Sequence, residues 1–255
     1  MNKSTAKRIA VISDIHGNIV ALEAVVADIK RKKIDQVINL GDHISGPLWP
    51  KETIAFLMQQ SWINILGNHD RNLISINPKL LGLSDQYVYK LLSENDISWI
   101  KSLQSNIIFE GLFLFHGTPS KDDVYLLETV ENGRTRLATQ TEIERRLGKP
   151  KSKEMLCGHS HIPRVVEIPG SIIINPGSVG LPAYDDDLPE YHVVETGSAH
   201  ARYAIMEYQT TIQSIEMIAV NYDYKTAVKQ AFRNNRPDWA EALNFGFHIN
   251  SRLIF

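Results

Sequence analysis

The chain predicts an α/β fold. Three observations carry that expectation. Short, β-branched apolar runs recur along it, helix-periodic segments separate the early ones, and most runs end in glycine or a polar residue. The first run, "IAVIS" (residues 9–13), is bounded by turn residues, as a strand buried on both faces would be. Leu22, Val25, Val26 and Ile29 then fall at i, i+3, i+4 and i+7, one face of a helix, and Lys30, Arg31, Lys32 and Lys33 suit its C-terminal end. "VINL" (37–40) is the second strand. A helix follows near residues 50–60, opening on Pro50 with Ile54, Leu57 and Met58 on one side, and "INIL" (63–66) is the third strand.

Residues 78–105 read as helical, with Leu80, Leu91, Leu92, Ile100 and Leu103 as core candidates. "LFLF" (112–115), "EMLC" (154–157) and "SIIIN" (171–175) continue the strand series. "YHVVE" (191–195) and "ARYAIMEY" (201–208), joined at Gly197 and Ser198, read as an antiparallel pair, and "QSIEMIAV" (213–220) follows. The stretch 224–243 reads as helix broken at Pro237. No repeat or long linker interrupts the chain, so one domain over 1–255 is expected.

Composition narrows the function class. At 255 residues, 43% apolar and 22% charged, the chain can bury a proper core. A formal net charge of -2 provides no field for specific nucleic-acid or membrane-surface binding. One cysteine, Cys157, excludes an intrachain disulfide and suits a reducing compartment, where it reads as a small buried hydrophobe rather than a nucleophile. The basic N-terminus carries only "IAVI" as an apolar run, shorter than the roughly 7–15 residues of a signal peptide. A cytoplasmic protein without a membrane partner is expected.

Polar groups collect at strand ends. "SDIHGN" follows the first strand, "GDH" (41–43) the second, "GNHD" (67–70) the third, "HG" (116–117) the fourth and "GHSH" (158–161) the fifth. Six of the nine histidines sit in these places. Each piece alone is an ordinary turn, since Asn, Asp and Gly favour turns on their own. Five such turns at one structural position need another cause. Strand ends on one edge of an α/β sheet converge on a crevice where ligands bind. Imidazole, carboxylate and amide groups suit borderline divalent metals such as Mn, Fe, Zn and Ni. Asp14, His16, Asp42, Asn68, His116, His159 and His161 are seven candidate ligands, too many for one tetrahedral ion and suited to two ions sharing a ligand.

In that order, these motifs resemble the calcineurin-like binuclear metallophosphoesterases, over about residues 9–178 and including "NPGS" (175–178). The tail is similar to the smaller bacterial and archaeal members. The resemblance implies a two-sheet β-sandwich flanked by helices, a four-layer arrangement that some schemes class as α+β. It implies one metal on Asp14, His16 and His161, a second on Asn68, His116 and His159, and Asp42 bridging both. It implies two divalent transition ions, Mn first among Mn, Fe, Zn and Ni. His69 then faces the phosphate and leaving group, with Asp70 orienting it. Protein phosphatases of the superfamily carry Asp-Arg-Gly after the bridging aspartate and Glu after Asn-His. This chain reads "GDHISG" and "GNHD" instead, which argues against that narrower activity. His43 matches no family position and reads as structural rather than substrate-binding.

The implied activity is hydrolysis of a small phosphorylated substrate, nucleotides among the candidates, by a hydroxide shared between the metals, with monoester and diester both open. No protein nucleophile is needed. The metal charge outweighs that of two carboxylates and one hydroxide, so the centre stays positive and attracts an anionic ester. Arg71, Lys121 and Tyr184 are the candidate substrate contacts, and Asp185, Asp186 and Asp187 read as a solvated acidic loop. A dinucleoside polyphosphate hydrolase is the alternative within this chemistry. A non-catalytic interaction scaffold is the alternative outside it; scaffolds can lose these groups, and this chain keeps them. Oligomeric state is not legible.

Overall fold

The strand "KRIAVI" alternates its side chains between two cores, and that alternation organises the molecule. In the computed structural model, which describes residues 6–149 and 151–248, Ile9 and Val11 enter one hydrophobic cluster while Ala10 and Ile12 enter another. The first residues of the basic N-terminus lie outside the described residues.

The elements run in chain order as β1 (Lys7–Ile12), α1 (Ile19–Arg31), β2 (Gln36–Asn39), α2 (Pro50–Leu57), β3 (Ile63–Asn64) and α3 (Asn68–Ser75). Then come α4 (Leu83–Tyr89), α5 (Glu94–Ser102), β4 (Asn106–Phe109), β5 (Leu112–Phe115), β6 (Glu128–Glu131), β7 (Arg134–Leu137) and α6 (Gln140–Leu147). The remainder is β8 (Glu154–Leu156), β9 (Arg164–Ile168), β10 (Ser171–Asn175), β11 (Ala183–Asp186), β12 (His192–Glu195), β13 (Ala201–Tyr208), β14 (Ile212–Val220), α7 (Tyr224–Arg233) and α8 (Pro237–Phe245).

Two five-stranded sheets, ordered β14-β13-β1-β2-β3 and β4-β5-β8-β10-β9, face each other. Between them lie Ile9, Val11, Ile38 and Leu40 from one sheet and Leu112, Leu114, Leu156 and Ile174 from the other. The far face of the first sheet packs Ala10, Ile12, Tyr203 and Ile205 against α1, α7 and α8. The far face of the second packs Phe113, Phe115 and Ile173 against Ile143 and Leu147 of α6. The expected sandwich flanked by helices is therefore present, and both sheets are mixed. A third sheet, β11-β12-β7-β6, was not expected. Its strands are short, with only four residues each, and polar, as in "ETVE" and "RTRL".

Helix starts follow local chemistry. Asn18 caps α1 by accepting from the Ala21 amide at 3.2 Å, and Thr139 with Glu142 forms a capping box on α6. Two expectations fail. The strands at 192–195 and 201–208 do not pair with each other: β12 joins the third sheet, while β13 pairs with β1 and β14. Buried on both faces, β13 needs two partners, and the Gly197 amide bonds the Gly246 carbonyl after α8 instead of closing a hairpin. Residues 78–105 form a 3₁₀ turn and two short helices rather than one stripe. Ile100 is buried, but Leu80 is 77% exposed and Leu91 is 42% exposed.

Candidate metal centre and active site

The ends of β1, β2, β5 and β8 bring the polar motifs together, as parallel alignment of β1 with β2 and of β5 with β8 requires. Asp14, His16 and His161 form one cluster with ligand-type atoms within 4.8 Å of one another; Asp42, His116 and His159 form a second. Asn68 joins the second cluster, its Oδ1 lying 3.0 Å from His116 Nε2. Asp42 lies between them: its Oδ2 is 3.2 Å from His116 Nε2 and 3.9 Å from His16 Nε2.

The backbone is bent to make this meeting. Asp14, His16, Asp42, His159 and His161 all have positive φ, between 52° and 70°. Such conformations cost about 1–3 kcal/mol each in a non-glycine residue and persist only where the surroundings enforce them. Glycine makes the approach sterically feasible. A Cβ on Gly67 would lie 2.2 Å from Asp42 Oδ1, and one on Gly158 would lie 2.1 Å from Ser13 Oγ. The "NPGS" segment braces the loops: Asn175 donates to the Gly158 carbonyl at 2.8 Å and Ser178 to the Asp14 carbonyl at 2.8 Å.

Hydrogen bonds set the histidine tautomers. His16 Nδ1 meets the Ser45 carbonyl at 2.8 Å, His116 Nδ1 meets that of Leu40 at 2.7 Å, and His161 Nδ1 meets that of Leu181 at 2.7 Å. Each Nδ1 therefore donates to its carbonyl, which leaves Nε2 as the atom facing the centre, a lone pair in the neutral rings of His16 and His161. His16 and His161 aim their Nε2 atoms at each other across 3.0 Å, and buried Asp14 Oδ1 beside them has no hydrogen-bond partner. Facing lone pairs next to an orphaned carboxylate oxygen are unfavourable without a cation. The donor set therefore fits a borderline divalent metal.

Titration agrees. Burial, reinforced by the neighbouring His161, pushes His16 down to about 4; burial and His116 push His159 down to about 3. Asp14 falls to about 2, because His161 and His116 outweigh the upward push of burial. Burial also opposes the His116 shift, yet Asp42 and Asp14 raise that group to about 10. In the protein alone, a proton on His116 compensates the charge that a cation would.

His69 stands apart on the first turn of α3, with its side chain 35% exposed and no place in either cluster. Its Nδ1 is held by Asp85 at 2.9 and 3.1 Å, with Ser45 Oγ at 3.2 Å. Burial would lower this imidazole, but Asp42 and Asp85 raise it to about 9. Asp85 is the residue the sequence did not reveal. It sits in "GLSDQ" at the start of α4, where an acidic residue is ordinary helix chemistry.

The expected role of Asp70 needs correcting. The ring partner of His69 is Asp85. Asp70 accepts from the amides of Asp42 at 2.9 Å, His43 at 3.1 Å and Gly67 at 3.0 Å, and from His43 Nδ1 at 2.7 Å. At the third position of α3 it caps the helix and locks the loop carrying Asp42. His43 is fully buried against Asp70 and Trp99, as a structural histidine. Asp70→Ala strands this ring and three amides. It should cost about 3 kcal/mol or more, read as a fall in the denaturant midpoint; a loss under about 1 kcal/mol would contradict the assignment.

A cavity of about 280 Å³ opens over both clusters, lined further by Tyr184, Asp185, Asp186, Arg236, Trp239 and His248. Tyr184 thus lies where a substrate contact should, its ring 4.6 Å from that of His161. Arg71 and Lys121 do not line this cavity. Arg71 is held by Asp122 at 2.7 and 2.9 Å, and Lys121 is exposed. The acidic run is not a free loop: Asp185 and Asp186 belong to β11, and Asp185 pairs with His248 at 3.3 Å. Cys157 is buried, and burial pushes its thiol far up, as suits an inert side chain.

The chain is similar to other proteins across most of its length. It is 25% identical to an uncharacterized protein of Methanocaldococcus jannaschii, covering 91% of this chain and 94% of the relative. Its fold matches that of a metallophosphoesterase from Sphaerobacter thermophilus at 24% identity and a TM-score of 0.75, covering 95% and 100% of the two chains. A hypothetical protein from Pyrococcus horikoshii OT3 matches at 19% identity and a TM-score of 0.73, covering 94% and 99%. The family model for the calcineurin-like phosphoesterase superfamily domain spans residues 8–199, from the first strand through every motif that builds the two clusters, and the chain belongs to that family of metal-dependent phosphoesterases.

Proposed function

We propose that the chain hydrolyses phosphate esters of small molecules at a pair of divalent cations. The carrying observation is the buried, unpartnered Asp14 Oδ1 beside inward-turned His16 and His161 lone pairs, with a second group of ligand-type atoms, Asp42, His116 and His159, next to it. Asp14, His16 and His161 would hold one ion, Asn68, His116 and His159 the other, and Asp42 both. When bound, two such ions supply Lewis acidity toward the phosphoryl oxygens and an acidified water for in-line attack.

The chain's own residues supply the rest. The His69 amide donates to Asp42 Oδ1 at 3.0 Å, fixing the carboxylate that the two clusters share. Asp85 holds His69 Nδ1, which leaves Nε2 to face the cavity and hand a proton to a departing alkoxide. Asp42 and Asp85 keep that imidazole protonated at neutral pH; cations nearby would oppose Asp42, and Asp85 then carries the effect. Ser45 supports both sides, taking His16 Nδ1 on its carbonyl and meeting Asp85 and His69 with its hydroxyl.

Nitrogen and oxygen donors without thiolate suit Mn, Fe, Zn or Ni, and the family resemblance puts Mn first for loading. Elemental analysis after Mn loading should find up to two ions per chain. The loaded protein should hydrolyse p-nitrophenyl or bis-p-nitrophenyl phosphate, and chelation should abolish that activity. Retained turnover after complete chelation would sink the proposal.

A further inference from the structure

Three of the four cluster histidines are held from behind by a main-chain carbonyl: His16 by Ser45, His116 by Leu40 and His161 by Leu181. Such outer partners fix a ligand's ring before a cation arrives, and losing one typically lowers metal affinity by roughly 10–100-fold. His159 has no such partner. Among the described residues no hydrogen bond reaches either of its ring nitrogens, and its polar contacts are on the main chain. Its amide donates to Asp14 Oδ2 at 3.2 Å, and the Tyr184 hydroxyl lies 3.2 Å from its carbonyl. The backbone there is in the left-handed region, at a φ of 70°.

What backs the His159 ring is Tyr125. The two rings lie 4.8 Å apart at 36°, within the range of offset aromatic contact, and Tyr125 is buried. Its own place is fixed by a chain of hydrogen bonds. His192, fully buried, donates from Nδ1 to the Glu190 carbonyl at 2.8 Å, so in the neutral ring Nε2 accepts from the Tyr125 hydroxyl at 2.9 Å. The Tyr125 oxygen in turn lies 2.8 Å from the Tyr184 hydroxyl, and the His192 ring meets the Tyr125 ring edge-on at 5.6 Å. These groups come from the third sheet: Tyr184 from β11, His192 from β12 and Tyr125 from the segment leading into β6. The sheet that the sequence did not announce thus stands behind one ligand of the second cluster.

We infer that Tyr125 is a positioning residue for the second cation: its ring face holds the His159 imidazole in its ligating orientation, the task that a carbonyl performs for the other three histidines. This rests on the phosphoesterase proposal through the cation pair alone and gives Tyr125 no contact with substrate. Without the ring face, the imidazole gives up its rotamer freedom only when the cation binds, and that cost falls on one site. The first cluster keeps both of its carbonyl anchors, at His16 and His161, whatever stands at position 125.

The test is Mn titration of the full chain by calorimetry, with electron paramagnetic resonance read in parallel. The loaded wild-type protein should show the exchange-coupled signal of neighbouring Mn ions. Tyr125→Leu should weaken the second binding step by about tenfold or more, the scale of losing an outer-shell partner, and leave the first step close to wild type. Its spectrum at stoichiometric Mn should revert to the resolved hyperfine lines of isolated ions. Tyr125→Phe keeps the flat face and loses only the hydroxyl, so it should retain both steps and the coupled signal. Should Tyr125→Leu not fold, Tyr125→Met fills the space without a flat face and gives the same reading. Equal losses at both steps would make Tyr125 a general packing residue. An unchanged second step, a wild-type protein without a second step, or a Tyr125→Phe as damaged as Tyr125→Leu would remove the ring from this role. Each of these overturns the inference alone, because Mn-dependent hydrolysis by the wild-type protein is read separately. If the wild-type protein binds no ion and hydrolyses no ester, the phosphoesterase proposal falls with it.

Discussion

Asp42→Asn should abolish most turnover and empty both cation sites together. The Asp42 carboxylate is almost wholly buried, lies within 4 Å of an imidazole nitrogen in each cluster, and accepts the His69 amide. Burial alone would raise its carboxyl, but His116 and His69 hold it well below the usual carboxylate range. It is therefore a fixed negative charge at the point common to both clusters. Asparagine keeps the shape and removes that charge. The loss should be on the order of 10²–10³-fold in kcat, the scale of removing a preorganised electrostatic contact. Metal titration should show both affinities falling, whereas His161→Ala should weaken one cluster far more than the other. Near wild-type turnover for Asp42→Asn under metal excess would remove Asp42 from the bridging position.

That the motifs meet was legible in the sequence because each ends a strand; which of them is shared came only from the resemblance. A strand's direction is set by its pairing, so motifs at the ends of neighbouring parallel strands must converge. The strands that failed to announce themselves lack that signal. "ETVE", "RTRL" and "AYDD" are four residues each, half or more of them charged, with no apolar run, and pair only because the rest of the fold brings them together. The β12–β13 hairpin was a reasonable inference from a Gly-Ser step, but short-range turn chemistry lost to the two-sided burial of β13. Leu80 and Leu91 have the right spacing for a helix face. Pro78 and the Ser93 cap divide the segment before one face can form.

Within the site, which polar groups come together was legible and hydrogen-bond partnership was not. Asp70 beside His69 invited a pair, yet adjacent residues on a helix point to different faces, and the partner came from the next helix, at Asp85. Positive φ at five of the seven candidate ligands also could not be read from composition, since Asp and His, although enriched there, adopt it only in a small minority of cases.

His69→Ala should leave metal content close to wild type, because His69 belongs to neither cluster and its ring is held by Asp85. Its effect on rate should depend on the leaving group. General acid catalysis is typically worth roughly 10²–10⁴-fold, and the benefit grows with the basicity of the oxygen that departs. An ester with an alkyl leaving group should therefore lose close to the full factor. A p-nitrophenyl ester should lose far less, since p-nitrophenolate leaves without a proton. Asp85→Asn should reproduce part of the alkyl-ester loss: an amide still holds the ring but no longer stabilises its protonated form, so the alkaline limb of the pH–rate profile, where the acid loses its proton, should move to lower pH. Equal losses on both esters would make His69 a phosphate-positioning group. A lost ion in His69→Ala would make it a ligand after all, and Asp85 the group that orients that ligand.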